Sequence, residues 1–491
     1  MIPPAEMYKP DARIPLERLF LARPDTYDRW ALPLGVVHFG PGAFFRAHQA
    51  DVFDRMNAFD PRFGIGVIAL NSRRTIEAFD AQDGLYTLSI RDKTISNRVI
   101  GAIRQWVYGP ESRAAAEAML TCPTVGYVTA TITEKGYGLA PDGTLDLARA
   151  DIQADIANPE TPASFLGWVL KGLSLRRDAG LAPFVVLSCD NIAQNGARIK
   201  AALIAMARHT RPALADYIAD HVSVPNTMVD SITPATDEAL RQRLLSETGF
   251  EDRWPIQREA FSQWVIERHK GGLDPATDWA RAGVQICDSL SPFARAKLWV
   301  LNGAHSALAY AGQLRGMKTV AEAASDPDLR RTVQSLMVDA VLPLLEPLPG
   351  LPLEDYAHQI WARFENPELA HQLAQIAWDG SQKIPVRIID PMLLACSQGH
   401  DPKPFARVIG SWLAFIHMRY DTGETFVDPE AERLLAWAHQ VSSLTDPVST
   451  AFESLAPLRT IPKDLLAMPL IMDAARQSFE ESLKHRHKSA L

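Results

Sequence analysis

Leu34-Gly-Val-Val-His-Phe-Gly40-Pro-Gly-Ala-Phe-Phe45 is the stretch that decides the fold. A short apolar run ends at a Gly-Pro-Gly turn, and residues 43–56 then carry apolar side chains at helical spacing. That is the pattern of a buried strand, a glycine turn and a helix. Glycines at such a turn let backbone amides and a helix N-terminus approach a pyrophosphate with no side chain between. Gly40 and Gly42 supply two of the three glycines of the general fingerprint, with Phe45 at the third. Gly40, Gly42, Ala43 and Phe44 are therefore the expected cofactor contacts.

Outward from this turn, a second strand over 65–70 ends in Asn71-Ser-Arg-Arg74. An acidic side chain commonly binds the ribose hydroxyls of NAD there. Here Asn71 and Arg73 are the candidates for the adenosine end. A guanidinium at this place suits a 2′-phosphate or stacks on adenine, so NAD is expected with NADP as the alternative. A hairpin-like pair over 85–90 and 97–103 follows, then buried-type strands over 124–132 and 183–188 with a helical stretch over 164–173 between them. Strands alternating with helices predict an α/β, Rossmann-like, doubly wound domain over residues 1–285. Beyond it, long helical periodicities over 293–313, 326–345, 355–378 and 404–418 predict a mainly α-helical domain over 286–491. The proline-rich stretch 345–352 reads as an interhelix loop.

Composition bounds the partners. A chain of 491 residues, 47% hydrophobic and 22% charged, is an ordinary globular protein too long for one core. A formal charge of -8 offers polyanions no general attraction, so no nucleic-acid partner is expected. The basic cluster Lys484-His-Arg-His-Lys488 reads as a solvated tail. Cys122, Cys189, Cys287 and Cys396 are scattered, with no CxxC and no Cys/His metal spacing, which predicts reduced thiols and no metal site. No apolar window reaches membrane-helix length and residues 1–10 lack a signal-peptide pattern, so a cytoplasmic protein without a membrane partner is expected.

The chemistry-bearing stretch is Lys297-Leu-Trp-Val-Leu-Asn302-Gly-Ala-His305. Oxidising a sugar alcohol without a metal requires a base for the hydroxyl proton and donors to hold the developing alkoxide. On a straight helix Lys297 and His305 fall within about 80° of each other, with Asn302 three residues before His305. Lys297 can act as the base only where desolvation or a neighbouring positive charge destabilises its ammonium form. Residue types alone leave open a surface lysine, a helix-interior asparagine and a core histidine.

Five motifs, in this order, resemble the signatures of the mannitol dehydrogenase family, which comprises long-chain polyol and hexuronate dehydrogenases. They are Gly40-Pro-Gly-Ala-Phe-Phe-Arg-Ala-His-Gln49, Thr133-Glu-Lys-Gly-Tyr137, Ser188-Cys-Asp-Asn191, Pro225-Asn-Thr-Met-Val-Asp-Ser-Ile-Thr-Pro234, and the stretch 297–305. The resemblance spans about residues 34–391. It implies hydride transfer at a secondary alcohol, with Lys297 as general base and Asn191 and Asn302 polarising the reacting oxygen. Asp230 and His305 would bind substrate hydroxyls, and Lys383 matches a further substrate contact.

Departures bear on the substrate, a small sugar acid or sugar alcohol. Gln375 and Gln382 stand where mannitol-specific members carry arginine and serine. The runs Gln375-Ile-Ala, Asp379-Gly-Ser-Gln-Lys383 and Ile389-Asp-Pro391 are more similar to fructuronate reductases. This implies interconversion of fructuronate and mannonate, with mannitol, arabinitol or a similar neutral polyol as the rival. A carboxylate substrate wants a cationic partner, for which Lys383 and Arg387 are the candidates. Phe45, Ser231 and Ala294 replace a usual histidine, arginine and glutamate. A dinucleotide-binding regulator without turnover is the reading from another class, and the presence of Lys297, Asn302 and His305 argues against it. The oligomeric state is not legible.

Overall fold

Leu34–Phe39 is buried at all six positions, as a parallel strand must be when it has neighbours on both edges and elements packed on both faces. The computed structural model describes residues 13–268, 278–369, 371–442 and 446–489. The strands run β1 (Leu34–Phe39), β2 (Gly64–Ala69), β3 (Tyr86–Arg91), β4 (Ser96–Ile100), β5 (Ile103–Tyr108), β6 (Tyr127–Ala130), β7 (Val185–Ser188), β8 (Thr227–Asp230), β9 (Ile256–Glu259), β10 (Gln263–Glu267) and β11 (Val284–Cys287). The chain divides into two compact units, one ending at Leu290 and one beginning at Ser291.

In the first unit β5, β2, β1, β6 and β7 form, in that order, a wholly parallel sheet. Side-chain alternation divides its core. Val37, Phe39, Val128 and Val186 pack with residues of the helices Arg113–Leu120, Phe165–Asp178, Asn195–Thr210 and Pro212–His221. Val36, Val67 and Leu187 pack with Phe45, Phe53, Trp264 and Trp279. The doubly wound class expected from the sequence is thus present. Two three-stranded sheets, β11-β10-β8 and β4-β3-β9, adjoin it.

Several boundaries differ from expectation. The helix read over 43–56 is two, Ala43–Ala47 and Gln49–Asn57, broken at His48 (φ -119°, ψ -80°). The buried His48 ring there bonds through Nε2 to the Gln263 carbonyl at 3.0 Å, a tertiary contact that local periodicity cannot show. The second hairpin strand stops at Ile100 instead of 103, because Gly101 turns its amide onto Asp54 Oδ1 at 2.8 Å. The chain then enters the parallel sheet as β5, an edge strand the sequence reading lacked. The strands read over 124–132 and 183–188 contract to β6 and β7.

In the second unit the described elements are helical. The helix read over 293–313 consists of Ser291–Ala296, a π-turn at Lys297–Leu301, and Asn302–Leu314. The Asn302 amide donates to both the Leu298 and Lys297 carbonyls, which admits one extra residue to that turn. The run read over 326–345 likewise holds a π-turn, Ser335–Val341, and a 3₁₀ turn, Leu342–Leu344, after the helix Pro327–Gln334. The helix read over 355–378 is interrupted: Leu353–Phe364 ends before Pro367, and Leu373–Ile376 is a separate short helix. Pro367 has no amide to donate and disfavours helical backbone at Asn366. Lys403–Thr422 is longer than the 404–418 read from sequence and packs on Asn302–Leu314 and Pro469–Ser489. No described helix is long and apolar enough to cross a membrane. Residues 1–10 and the side chains of 485–488 lie outside the described parts.

Burial holds two core histidines of the first unit neutral, His38 at a pKa of about 3 and His48 at about 4, the backbone bonds of each opposing the shift only in part. A depressed pKa means the unfolded chain takes up the proton first, so each contributes stability above pH 6.5 that is lost as pH falls through the folded value. We expect His48→Gln to be less stable than the wild type at pH 7.5. The gap should close by about 1.4 kcal/mol per pH unit below pH 6.5, as read from denaturant unfolding. A gap constant to pH 4.5 would contradict a neutral His48.

Candidate active site

From β1 the chain winds outward through β2 and β5, then returns to the other side of β1 as β6. The carboxyl ends of β1 and β6 are therefore the topological switch point, where open α/β sheets bind ligands. At that point Gly40 has φ +83°, and a Cβ on it would lie 2.2 Å from the Thr131 carbonyl oxygen. Thr131 Oγ1 donates to the Gly40 carbonyl at 2.7 Å. Gly42, the N-cap of Ala43–Ala47, is exposed, and a Cβ there would meet nothing nearer than 3.9 Å. No side chain caps this helix end, so its first amides face an unobstructed approach of the kind a pyrophosphate requires.

His38 locks the turn from behind. Its ring stacks on Phe45 with centroids 3.6 Å apart, Nδ1 meets Thr129 Oγ1 at 2.7 Å, and Nε2 meets Thr131 Oγ1 at 3.1 Å. Phe45 is thus turned into the core, whereas Phe44 is half-buried and stacks on His48. At the end of β2, Asn71 is exposed and Ser72 makes no side-chain cap for the helix Arg73–Gln82. Arg73 is exposed but committed, 2.9 Å from Glu111 and 3.8 Å from Glu77. A 2′-phosphate would find this guanidinium already shared by two carboxylates.

The exit of β6 is strained. Thr133 has φ 62° and ψ 161°, a region used almost only by glycine and costing a side chain about 1–3 kcal/mol. The Ile132 amide donates to Asp190 Oδ2 at 2.8 Å, the Tyr137 hydroxyl donates to the same oxygen at 2.8 Å, and the Gly136 amide donates to the Thr133 carbonyl at 2.9 Å. Burial pushes the Asp190 carboxyl up, and the bonds from Tyr137, Ile132 and Thr133 oppose that shift. Asn191 follows and lines a cavity of about 320 Å³ with Glu134, Lys135 and Arg198. Asp230 is buried at the end of β8. Asn195 links the two exits, donating to the Ser188 carbonyl at 3.4 Å and the Thr227 carbonyl at 3.0 Å and accepting from the Thr227 amide at 2.9 Å. Thr133, Asp190 and Asn195 had no role in the sequence reading; Thr133 and Asp190 lay inside quoted motifs, the one signal available.

The second unit carries Lys297, Asn302 and His305 on one helix. The extra residue of the π-turn corrects their phase: the separation of about 80° on a straight helix contracts to about 20°. Lys297 and Asn302 are half-buried and His305 is buried. Arg387 Nη1 reaches across from the π-turn Pro385–Ile389 to the Asn302 carbonyl at 3.3 Å and Ser306 Oγ at 3.2 Å. Lys383 donates to the Ile376 carbonyl at 3.3 Å. His305 packs against Phe364 and His371, and its buried Nε2 has no hydrogen-bond partner among the described residues. Burial, then His371, Arg363, Arg387 and Lys383, hold His305 well below the usual imidazole range. Burial and then Arg387 also lower Lys383. The structure therefore brings Asn302, His305, Lys383 and Arg387 together around a neutral imidazole in a positive field, while Gln382 is exposed.

Residues 34–276 match the mannitol dehydrogenase Rossmann domain and residues 289–456 the mannitol dehydrogenase C-terminal domain. The chain is similar to the D-mannonate oxidoreductase of Escherichia coli strain K12, at 37% identity over 412 residues covering 82% of this chain and 83% of that one. It is also similar to the mannitol 2-dehydrogenase of Phaeosphaeria nodorum strain SN15, at 35% identity over 427 residues covering 84% and 74%. Among solved structures, the Pseudomonas fluorescens mannitol 2-dehydrogenase ternary complex with NAD and D-mannitol aligns with a TM-score of 0.76 and 31% identity, covering 96% and 99%.

The two glycines of the turn should separate in stability. Gly40→Ala should cost more than about 3 kcal/mol, since both its φ and the Thr131 carbonyl oppose a side chain. Gly42→Ala should cost less than about 0.5 kcal/mol. Denaturant unfolding of both variants checks this, and equal losses would refute the distinction.

Proposed function

This chain belongs to the mannitol dehydrogenase family of oxidoreductases, and we propose that it is an NAD-dependent dehydrogenase interconverting the keto-hexuronate fructuronate and the aldonate mannonate. The observation that carries the choice of a sugar acid is the cationic environment of the buried His305, in which Arg387 bonds the Asn302 carbonyl and Ser306 on the same helix, Arg387 and Lys383 add to the effect of burial on the imidazole, and Arg387 also lowers Lys383. Identity to relatives does not select the substrate, because the D-mannonate oxidoreductase and the mannitol 2-dehydrogenase are about equally similar. A neutral polyol gives two clustered cations nothing to pair with; a carboxylate does.

When bound, NAD accepts or supplies the hydride at the reacting carbon. Gly40, Gly42, Ala43 and Phe44 would line its pyrophosphate, the amides of Ala43 and Phe44 at the helix start facing it and Gly42 leaving the approach clear. Asn71 serves the adenosine end, and the pairing of Arg73 with Glu111 favours NAD over NADP. Lys297 takes the hydroxyl proton onto Nζ during oxidation and returns it during reduction. Asn302 and Asn191 donate to the reacting oxygen. His305, kept neutral, presents one ring nitrogen to a substrate hydroxyl, and Asp230 accepts from another. Lys383 and the nitrogens of Arg387 not spent on Asn302 and Ser306 pair with the carboxylate.

With NADH, the purified protein should reduce fructuronate at least about 100-fold more efficiently than fructose, the worth of about 2–3 kcal/mol for a charge-assisted pair. Lys383→Met should raise KM for fructuronate and leave fructose nearly unchanged. Comparable turnover of the two ketoses by the wild type would overturn the sugar-acid assignment in favour of a neutral polyol. Lys297→Ala should lower kcat by about 10²–10⁴-fold while NADH binding, followed by fluorescence titration, stays intact. Retained turnover would refute Lys297 as the base, whereas a wild type that binds NADH and reduces neither ketose would favour a nucleotide-binding protein without catalysis.

A further inference from the structure

Thr133 and Asp190 have no part in the roles above, yet they form the most over-determined piece of backbone at the switch point. A β-branched residue at φ 62° and ψ 161° persists only where its surroundings hold it. Glycine would adopt that backbone freely. The restraint is visible. Asp190 Oδ2 accepts from the Ile132 amide on one side of Thr133 and from the Tyr137 hydroxyl on the other, both at 2.8 Å. Ser188 Oγ donates to the Tyr137 oxygen at 2.9 Å, fixing the hydroxyl that reaches Asp190. Asp190 itself cannot drift. The Cys189 amide before it is tied to the Ala130 carbonyl at 2.8 Å, and the Ile192 amide bonds to the Asp190 carbonyl at 2.9 Å.

We propose that Asp190 is a positioning residue: its carboxylate clamps residues 132–137 so that Thr133 keeps its strained conformation, which shapes the wall of the dinucleotide crevice beyond the Gly40–Thr131 contact. This rests on the reading of that crevice as an NAD site. Removing the carboxylate frees the Ile132 amide and the Tyr137 hydroxyl together, and Thr133 then relaxes toward negative φ. The peptide planes on either side of it turn, and the crevice loses the shape complementary to the cofactor. Because the strain resides at one residue, the need for the clamp should depend on what occupies position 133.

The test is a double-mutant cycle on the full chain. NADH dissociation constants are measured by fluorescence titration and amide hydrogen exchange is followed over residues 131–137 without cofactor. Asp190→Ala should raise Kd for NADH at least tenfold and accelerate exchange in that segment. Thr133→Gly alone should leave Kd within threefold. Adding Asp190→Ala to Thr133→Gly should raise Kd less than threefold, because glycine reaches the required backbone without the clamp. A purely structural carboxylate would instead give the same factor in both backgrounds, and that result, or unchanged Kd and exchange in Asp190→Ala, overturns the proposal. Should Asp190→Ala fail to fold, Tyr137→Phe, which removes one of the two donors to Asp190 Oδ2, is run through the same cycle with the same outcomes. Failure of the wild type to bind NADH would sink the cofactor reading, and the clamp would then be decided by exchange alone, with unaccelerated exchange overturning it.

Discussion

Two neighbouring strand exits can share a ligand only when the chain between them adds no bulk, and at Gly40 that condition is met at contact distance with the Thr131 carbonyl. The organisation of the first unit follows from this approach. His38 and Phe45 fill the space behind the turn, and Thr131 closes it with a hydroxyl bond. The next residues of the same exit are held by Asp190, which begins the exit of β7, and Asn195 carries the connection on to Thr227 in β8. A series of direct bonds thus joins the glycine turn to Asn191 and to the strand that ends in Asp230. His38, Tyr137, Ser188, Asn195 and Thr227, which make these bonds, are buried, the condition under which a site keeps its geometry without a bound partner.

The second unit meets an opposite requirement, since it keeps charge in place without neutralising it. Lys383 and Arg387 are partly desolvated, and among the described residues their hydrogen bonds go to carbonyl and hydroxyl oxygens rather than to carboxylates. Asp379 and Asp428 oppose the lowering of Lys383 only in part, and the Asp428 carboxylate is bonded to the amide and hydroxyl of Ser381. Burying cations beside neutral acceptors costs stability. The His305 imidazole registers that cost by remaining unprotonated. Arg387 also supports the Asn302 carbonyl, so one side chain links the charge of the site to the backbone of the helix that carries Lys297, Asn302 and His305.

How far the sequence could be read follows from the range of the interactions. β1 and its turn were legible because an apolar run and two glycines are local signals. The break at His48 was not, because its bond partner lies 215 residues away. β5 went unread because a hairpin pattern continues smoothly through Gly101, where a buried aspartate redirects the chain. The motif containing Lys297, Asn302 and His305 was conspicuous, but the π-turn within it was not, since helical periodicity tolerates a slip of one residue. Thr133 is the converse case: its residue type argues against the backbone it adopts, and only the contacts of Asp190 make sense of it. Asp190 was in view within its motif and silent, because a carboxylate that binds amides and one that binds substrate look alike in a sequence.

The π-turn at Lys297–Leu301 makes the helix a counted object. It packs on two other π-turns, Ser335–Val341 and Pro385–Ile389, so its extra residue is accommodated by neighbours that are themselves out of α register. Deleting one residue anywhere between Lys297 and Asn302 would restore an unbroken α-helix, locally the more comfortable backbone. It would leave Lys297 within about 20° of His305, because seven α-helical steps cover about 700°, and would remove only the widened turn between them. The widened turn is therefore a length inserted into the helix without disturbing the phase of what flanks it, and the contact with the two other π-turns is what its extra residue adds.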